Sequence, residues 1–579
     1  MSFDEVVRPR RHVRYGSEDT SPTTSQELRG WYSYTIAAEV FAVVGVGSFL
    51  PVTLEQLARE RGVFYSERSK SCIASLGRNG TVSHMQARAD GGTDTQCIVN
   101  FLGSDITTSS FAMYTFSAAV LVQAVTLICL SSFADHGPYR KKMLMTFAYT
   151  GSMASALFIF IPPTVFFLAP LLVIIGVTCL GSSFSLLNAF LPLLVSNYED
   201  SNENDPTAPF EEREALNPEP SAPTTHTSSP RNLECDLERS AKISSKGVGL
   251  GYIAALLVQC FSILILFISS KTSISKQSPS LPMRFILLLA GIWWALFSIP
   301  TLLFLRPRPG PPLPSRSTAN RTTRLRTAFF YIRFSLSSFL HTLKLATRLR
   351  QVVIFLIAWF LLSDAVATVS GIAMLFARTE LKLSAIQIAL LSITSLVSGI
   401  LGAFTWPRIA TRHSLSPKSV LLSCILLMEL VPLYGLLGYV PFIAHAGVGG
   451  LQQPWEIYPL GALHGFVMGG ISSYSRAVFA PLIPEGREAA FFALFAVTDK
   501  GSSAVGPALV GRIVDTAGTI RPAFIFLAVL AVLPAPFVWW LDVERGRESA
   551  RVLALGKGRS DEGGSVDEEM RETLMRHER

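Results

Sequence analysis

Residues 351–376 read QVVIFLIAWFLLSDAVATVSGIAMLF, a run in which one ionisable side chain, Asp364, stands among apolar and small residues. As a helix, such a run is long enough to cross the roughly 30 Å hydrocarbon core of a bilayer. It lacks the two-residue alternation of a barrel strand, and a helix satisfies its own backbone hydrogen bonds where no water can. Outward from it in both directions, the same event recurs about a dozen times between Phe41 and Trp540: an apolar run of about 20 residues, then a short polar break. Spans are predicted near 33–57, 108–133, 143–162, 164–194, 247–270, 283–305, 351–376, 384–405, 419–443, 457–480, 489–513 and 522–541. Composition agrees, with 49% apolar and 16% charged residues and a mean hydropathy of +0.39. The fold class is all-α, a polytopic membrane protein of about 12 transmembrane helices in two six-helix pseudo-repeats.

Charge sets the expected orientation. The N-terminal tail carries Arg8, Arg10, Arg11 and Arg14 without the short apolar core of a cleaved signal, so the first span is expected to stay as an uncleaved anchor. With both tails in the cytosol, cytosolic segments hold about 35 Lys and Arg against about 11 on the far side, as the positive-inside rule requires. The net charge of +8 follows from this bias and suits the anionic cytosolic leaflet of the lipid bilayer; no nucleic-acid module is present.

The chain divides into a cytosolic tail (1–30), a first half (31–305), a basic linker (306–350), a second half (351–541) and an acidic cytosolic tail (542–579). The first half contains a non-cytosolic loop at 58–107 and a cytosolic loop at 195–246. In the linker, Leu325, Phe329, Ile332, Leu336, Phe339 and Leu343 recur at helical spacing among Arg321, Arg324 and Arg333, which predicts a helix lying on the membrane face. Residues 199–232 and the tail after Ser560 have the composition of disordered segments.

Of seven cysteines, Cys129, Cys179, Cys260 and Cys424 fall in spans and read as small packing residues. Cys72 and Cys97 share the large non-cytosolic loop with the sequon Asn79-Gly80-Thr81, an N-glycan acceptor. A disulfide there needs Cα atoms within about 7 Å, which spacing alone does not fix. Asn320-Arg321-Thr322 is a cytosolic sequon and is expected to stay unmodified.

No phosphate loop, paired metal-binding histidines or Cys-x-x-Cys pair occurs, so neither an enzyme nor a cofactor or metal site is predicted. Asp515 to Gly518 and the series Gly247, Gly249 and Gly251 mimic nucleotide motifs without the surrounding context and read as chance.

The remaining chemistry is charge within hydrocarbon, at least about 2.5 kcal/mol per group if exposed to lipid. Glu39 lies eight residues after Trp31, and Asp364 five after Trp359, so the first spans of both halves carry an acid. Glu429, Arg476, Asp499 and Lys500 complete the set, with His464 nearby. Adjacent helical positions diverge, so Asp499 and Lys500 are expected to serve different neighbours. Each group reads either as part of a solute path or as an interhelical tie; Glu429 and His464 read as structural.

The loops Ser131 to Lys142 (SSFADHGPYRKK) and Thr405 to Lys418 resemble the short basic loop of the major facilitator superfamily. That resemblance gives Asp135, Arg140, Lys141 and Lys142 the role of a cytosolic gate. Ser131 and Pro138 stand where the superfamily usually has glycines, so close packing of the second helix on the eleventh is not implied. The runs ELRGWY (27–32), GVGSFLPVTLE (45–55), SFSLLNAFLPLL (183–194) and Gly469 to Gly511 resemble the fungal autophagy-related protein 22 family. Membership implies a multi-pass protein of the vacuole membrane that returns amino acids, neutral ones foremost, from lumen to cytosol. Superfamily architecture then implies a midplane cavity lined by Glu39, Asn188, Asp364, Ser472, Ser473, Tyr474 and Arg476, with Asp499 and Lys500 on the same pathway. Gly469 and Gly470 would break the tenth helix and expose amides to a carboxylate, and Glu39 or Asp364 would carry a proton. Two rivals share the bulk features: a facilitator for a sugar, peptide or drug at another membrane, and a non-transporting receptor or scaffold.

Overall fold

The computed structural model describes residues 19–64, 71–72, 97–101, 103–198, 230–272, 278–312, 324–383, 385–502, 506, 509–510, 512–513 and 521–561. Among them, ten helices are long and apolar enough to cross a membrane: Ser25–Arg59, Ser110–Ala134, Tyr139–Phe160, Pro163–Ser196, Cys235–Lys271, Leu281–Phe304, Arg350–Ala377, Gln387–Arg412, Pro417–Tyr439 and Ala523–Trp540. The predicted tenth and eleventh spans correspond to helices Ile457–Phe479 and Glu488–Ser502. Outward faces carry Leu121, Phe267 and Leu303, each more than 60% exposed, as lipid-facing positions should be.

Lipid is as apolar as leucine, so helix association here rests on close packing and buried polar bonds. In the first half, Trp31 Nε1 donates to the Leu187 carbonyl (3.1 Å), Ser33 Oγ to that of Phe297 (2.6 Å) and Thr301 Oγ1 to that of Gly30 (2.8 Å). These bonds fix the first span against the fourth and sixth. In the second half, the series Gly461, Gly465 and Gly469 at every fourth residue lets the tenth span approach the eighth: a Cβ on Gly465 would collide with the Ser395 carbonyl, and one on Gly469 with that of Gly399. The tenth helix is therefore continuous at Gly469 and Gly470, and the expected break is corrected; the glycines serve backbone contact. The Gly247, Gly249 and Gly251 series also serves close approach, seating Trp31, Phe404 and Glu39 in turn.

The first span changes pitch midway. After Ser25–Val40 it continues as π-helix over Phe41–Phe49 and returns to α-helix at Leu50–Arg59. Phe41 stacks on Trp294 of the sixth span at 5.0 Å. Beyond this end lies an antiparallel sheet, β1 (Val63–Phe64), β2 (Cys97–Phe101) and β3 (Ser104–Thr107), in the order β1-β2-β3, with Val63 opposite Ile98 and Val99 opposite Ile106. A disulfide joins Cys72 to Cys97; Asn79 lies outside the described residues. We call this end the sheet face and the opposite end the linker face.

Two further expectations need correction. Much of the predicted loose loop lies outside the described residues, but residues 230–246 belong to helix Pro230–Lys271 and bury Leu237, Ser240 and Ala241. The linker does form a helix, Arg324–Arg348, yet its predicted stripe is split: Phe339 is buried with Phe334 and Ala346, whereas Leu336 and Leu343 are exposed with Leu340. The first set packs on the bundle, where Ser335 Oγ donates to the Cys129 carbonyl and Phe334 meets Phe133 edge-on. The acidic tail begins with a helix, Val543–Asp561.

Candidate translocation site and gate

The second span ends just before Asp135, and the third opens with Arg140, 2% exposed. Arg140 Nη2 donates to Asp135 Oδ1 (3.1 Å) and, across the halves, to Glu488 Oε2 (2.9 Å). Asp135 also accepts from the backbone amides of Ala489 (2.7 Å) and Ala490 (2.9 Å). Those amides open the eleventh helix, where they lack intrahelical partners and the helix dipole is positive. One guanidinium thus binds an acid from each half, and one acid caps the facing helix. Burial pushes the Asp135 carboxyl up, to about 7, while Arg140 and the two amides pull it down and Glu488 adds to the rise. The second span packs directly on the eleventh, and Ser131 is buried.

Lys141 and Lys142 stand outside this latch; Lys142 is exposed, 5.7 Å above the Tyr139 ring. Instead the linker completes it. Gly137 takes φ +49° and exchanges backbone hydrogen bonds with the linker, donating to Pro311 (2.9 Å) and accepting from Gly310 (3.0 Å). Two residues earlier, Arg308 makes a fork-to-fork pair with buried Glu27 at 3.0 and 2.8 Å.

Midway along the bundle, Arg476 of the tenth span donates through Nη1 to Asn188 Oδ1 of the fourth (2.9 Å) and through Nε to the carbonyl of Ser472 (3.1 Å). Ser472 Oγ meets the Tyr252 hydroxyl of the fifth span at 3.3 Å, and Ser244 Oγ donates to the Ser473 carbonyl (2.7 Å). Glu39 lies against Gly251, within Coulombic reach of Arg476 and Tyr252. Of the expected residues, Glu39, Asn188, Ser472, Ser473 and Arg476 therefore gather at one junction of the halves. Tyr474 does not join them; it is buried in the apolar core.

Asp364 lies apart, accepting from the Gly506 amide (3.1 Å) within its own half. Beside it, Ser363 Oγ donates to Asp499 Oδ1 (2.6 Å). Lys500 Nζ folds back to Asp499 Oδ2 (3.0 Å), so the two groups expected to serve different neighbours pair with each other. His464 shares a hydrogen bond with Ser370 (3.0 Å), and Glu429 Oε2 has no partner among the described residues.

Sequence reasoning missed Glu488 and Tyr252. Glu488 reads as an ordinary acid in a first helical turn, and its partner stands 348 residues away. Tyr252 follows a glycine series that reads as chance in the sequence, and the close approach those glycines allow is the available signal.

Polar bonds between the halves, among the described residues, lie at this junction or toward the linker face: Asp236 with Arg547 (2.8 Å) and Glu238 with Thr411 (3.4 Å) extend the series. Toward the sheet face, Ser370 and Gly371 of the seventh span are exposed, and a Cβ on Gly371 would meet nothing within 4 Å.

Residues 23–551 match the family model described as Vacuole effluxer Atg22 like. Autophagy-related protein 22-1 of Phaeosphaeria nodorum is 62% identical over 566 residues, covering 96% of this chain and 97% of that one. Autophagy-related protein 22 of Botryotinia fuckeliana is 50% identical over 599 residues, covering 98% of each. Among solved structures, a bacterial homologue of the iron transporter ferroportin, outward-facing with soaked iron, aligns with TM-score 0.53 at 11% identity, covering 89% of this chain and 98% of that one. The human organic anion transporter MFSD10 (TETRAN) aligns with TM-score 0.51 at 14% identity, covering 89% of this chain and 99% of that one. These two likenesses establish the fold.

Proposed function

The chain belongs to the Atg22-like vacuole effluxer family, and from that premise we propose that this membrane transporter carries neutral amino acids from the vacuole lumen to the cytosol, with both termini and the linker cytosolic. The observation that carries the reading is the junction of Glu39 and Arg476, opposite charges at the meeting of the halves. An α-amino acid presents an ammonium and a carboxylate. Glu39 takes the ammonium and Arg476 the carboxylate, while the paired hydroxyls of Tyr252 and Ser472 lie beside them. Transport is by alternating access, and the state described here is the lumen-open one, supported by cross-half bonds that concentrate toward the linker face. A proton released from an acidic lumen accompanies the solute on Glu39 or Asp364. The latch of Asp135, Arg140 and Glu488 is the cytosolic gate.

The test is efflux of labelled neutral amino acids from vesicles bearing Glu39→Gln or Asp364→Asn protein shown to be folded and correctly sorted. Glu39→Gln should lower the rate about tenfold or more, as loss of a charged hydrogen-bond partner does. Asp364→Asn, whose acid is engaged by Gly506, should lower it less. Undiminished efflux in both removes these acids from the mechanism, and wild-type vesicles inert toward every amino acid overturn the substrate assignment.

A further inference from the structure

The lumen-open state poses a physical problem: a solute moves an equilibrium between two states only if it binds them differently. It must therefore make or break something that holds the cytosolic side shut. The Arg476 to Asn188 bond has the right place and chemistry. It crosses from the tenth span to the fourth, hence between halves, at the level of the candidate solute site. Arginine only donates, so Asn188 presents its amide oxygen, a neutral acceptor. The other bond, to the Ser472 carbonyl one turn back on the same helix, stays within the tenth span. Of the two, only the Asn188 bond changes when the halves separate.

We propose that Asn188 is the resting acceptor for Arg476, and that the substrate carboxylate displaces it, so that loading the site unties one seam between the halves. The idea rests on the reading of the junction as an amino-acid site. A carboxylate accepts from a guanidinium roughly twice as strongly as a neutral group does, and with two oxygens it can engage both prongs of the fork. It therefore wins the competition. The amide released on the fourth span no longer ties that helix to the tenth, and opening toward the cytosol loses one opposing interaction. Because the amide is neutral, the tie at the solute site is one that a solute carboxylate can break, whereas the buried salt bridge between the halves lies at the latch. Asn188 is thus a positioning residue that couples occupancy to the gate.

Opposite effects from two substitutions at one position test this. The full-length protein in proteoliposomes is titrated with labelled L-alanine, with propionate and ethylamine as competitors. Asn188→Ala removes the rival acceptor and should tighten alanine binding about three- to tenfold, the worth of one such hydrogen bond. Asn188→Asp is nearly isosteric but supplies a resident carboxylate, and should weaken alanine binding at least tenfold. Propionate should compete with alanine in wild type and lose that ability in Asn188→Asp, whereas ethylamine should be indifferent to the change. A single cysteine replacing Ser240, buried at the linker end of the fifth span, should label faster when alanine is added to wild type. With Asn188→Ala it should label at the fast rate without alanine.

A purely architectural Asn188 would weaken binding in both variants alike, or leave both unchanged, and either result overturns the proposal while the transport reading stands. Wild-type protein that transports amino acids yet shows no alanine-dependent labelling also overturns it. Wild-type protein that binds no amino acid sinks both readings together.

Discussion

The two basic loops that look equivalent in the sequence do different work. After the second span, Asp135 and Arg140 reach across to Glu488 and close a buried, three-charge contact between the halves. After the eighth, Arg408 donates to the Phe404 carbonyl on its own helix (2.8 Å), and Lys418 caps the end of the twelfth span through the carbonyls of Trp539 (2.9 Å) and Leu541 (2.6 Å). No acid occurs from Thr405 to Lys418, so this loop has no carboxylate to offer a facing helix. Its side of the molecule closes mainly by shape, with Phe404 filling the place a side chain would take at Gly249 and Tyr252 lying on Gly399, and with Thr411 donating to Glu238 of the first half (3.4 Å). Similar architecture thus coexists with a division of labour: one seam is a buried charge cluster, the other largely steric.

If that division is real, Arg140→Ala should be the most damaging change in either loop. It leaves Asp135 and Glu488 buried without their cation, a loss of about 3–5 kcal/mol in the latched state. The measurement is thermal stability in detergent together with thiol labelling from the linker face, which should rise; an unchanged melting temperature would break the contrast between the loops.

A pH series gives a smaller effect. Burial raises the folded-state pKa of Asp135 from its ordinary 3.8 to about 7, so the latched state holds a proton that the unfolded chain has released. Stability should therefore fall as pH rises from about 4 through 7 and level off above, since the native state binds more protons in that window. Asp135→Asn should flatten this part of the curve, as followed by melting temperature from pH 5 to 8. A variant curve parallel to wild type would show that the slope comes from other groups.

The smallest effect is expected in the second loop. Arg408→Ala loses only a bond to the side chain's own helix and should change stability by no more than about 0.5 kcal/mol. A large loss there, in the same melting assay, would mean that both loops latch.

What the sequence discloses follows the same division. The spans were legible because a run such as 351–376 has one physical solution, and the first loop because Asp135 and Arg140 lie five residues apart. Glu488 and Asn188 were harder, since each acts on a residue hundreds of positions distant. Asn188 entered only through resemblance, and the use of Glu488 required the fold. The glycines misled most: Gly469 looks like a place where the helix breaks and Gly251 like a chance motif, whereas they are places where the eighth span and Glu39 pack close. The split linker face was illegible because a helix lying between bundle and lipid can bury apolar groups on two sides, and periodicity alone does not assign them.

The linker also acts as a ruler. Arg308 is seated on Glu27 at the start of the first span, and Gly310 and Pro311 are paired with Gly137 between the second and third. Three residues of extended chain reach about 10 Å at most, so the separation of those two landmarks is set by covalent geometry. Deleting Pro309 would cut that reach to about 7 Å and draw the two anchors together, so the joint between the two bundles would lose its gauge.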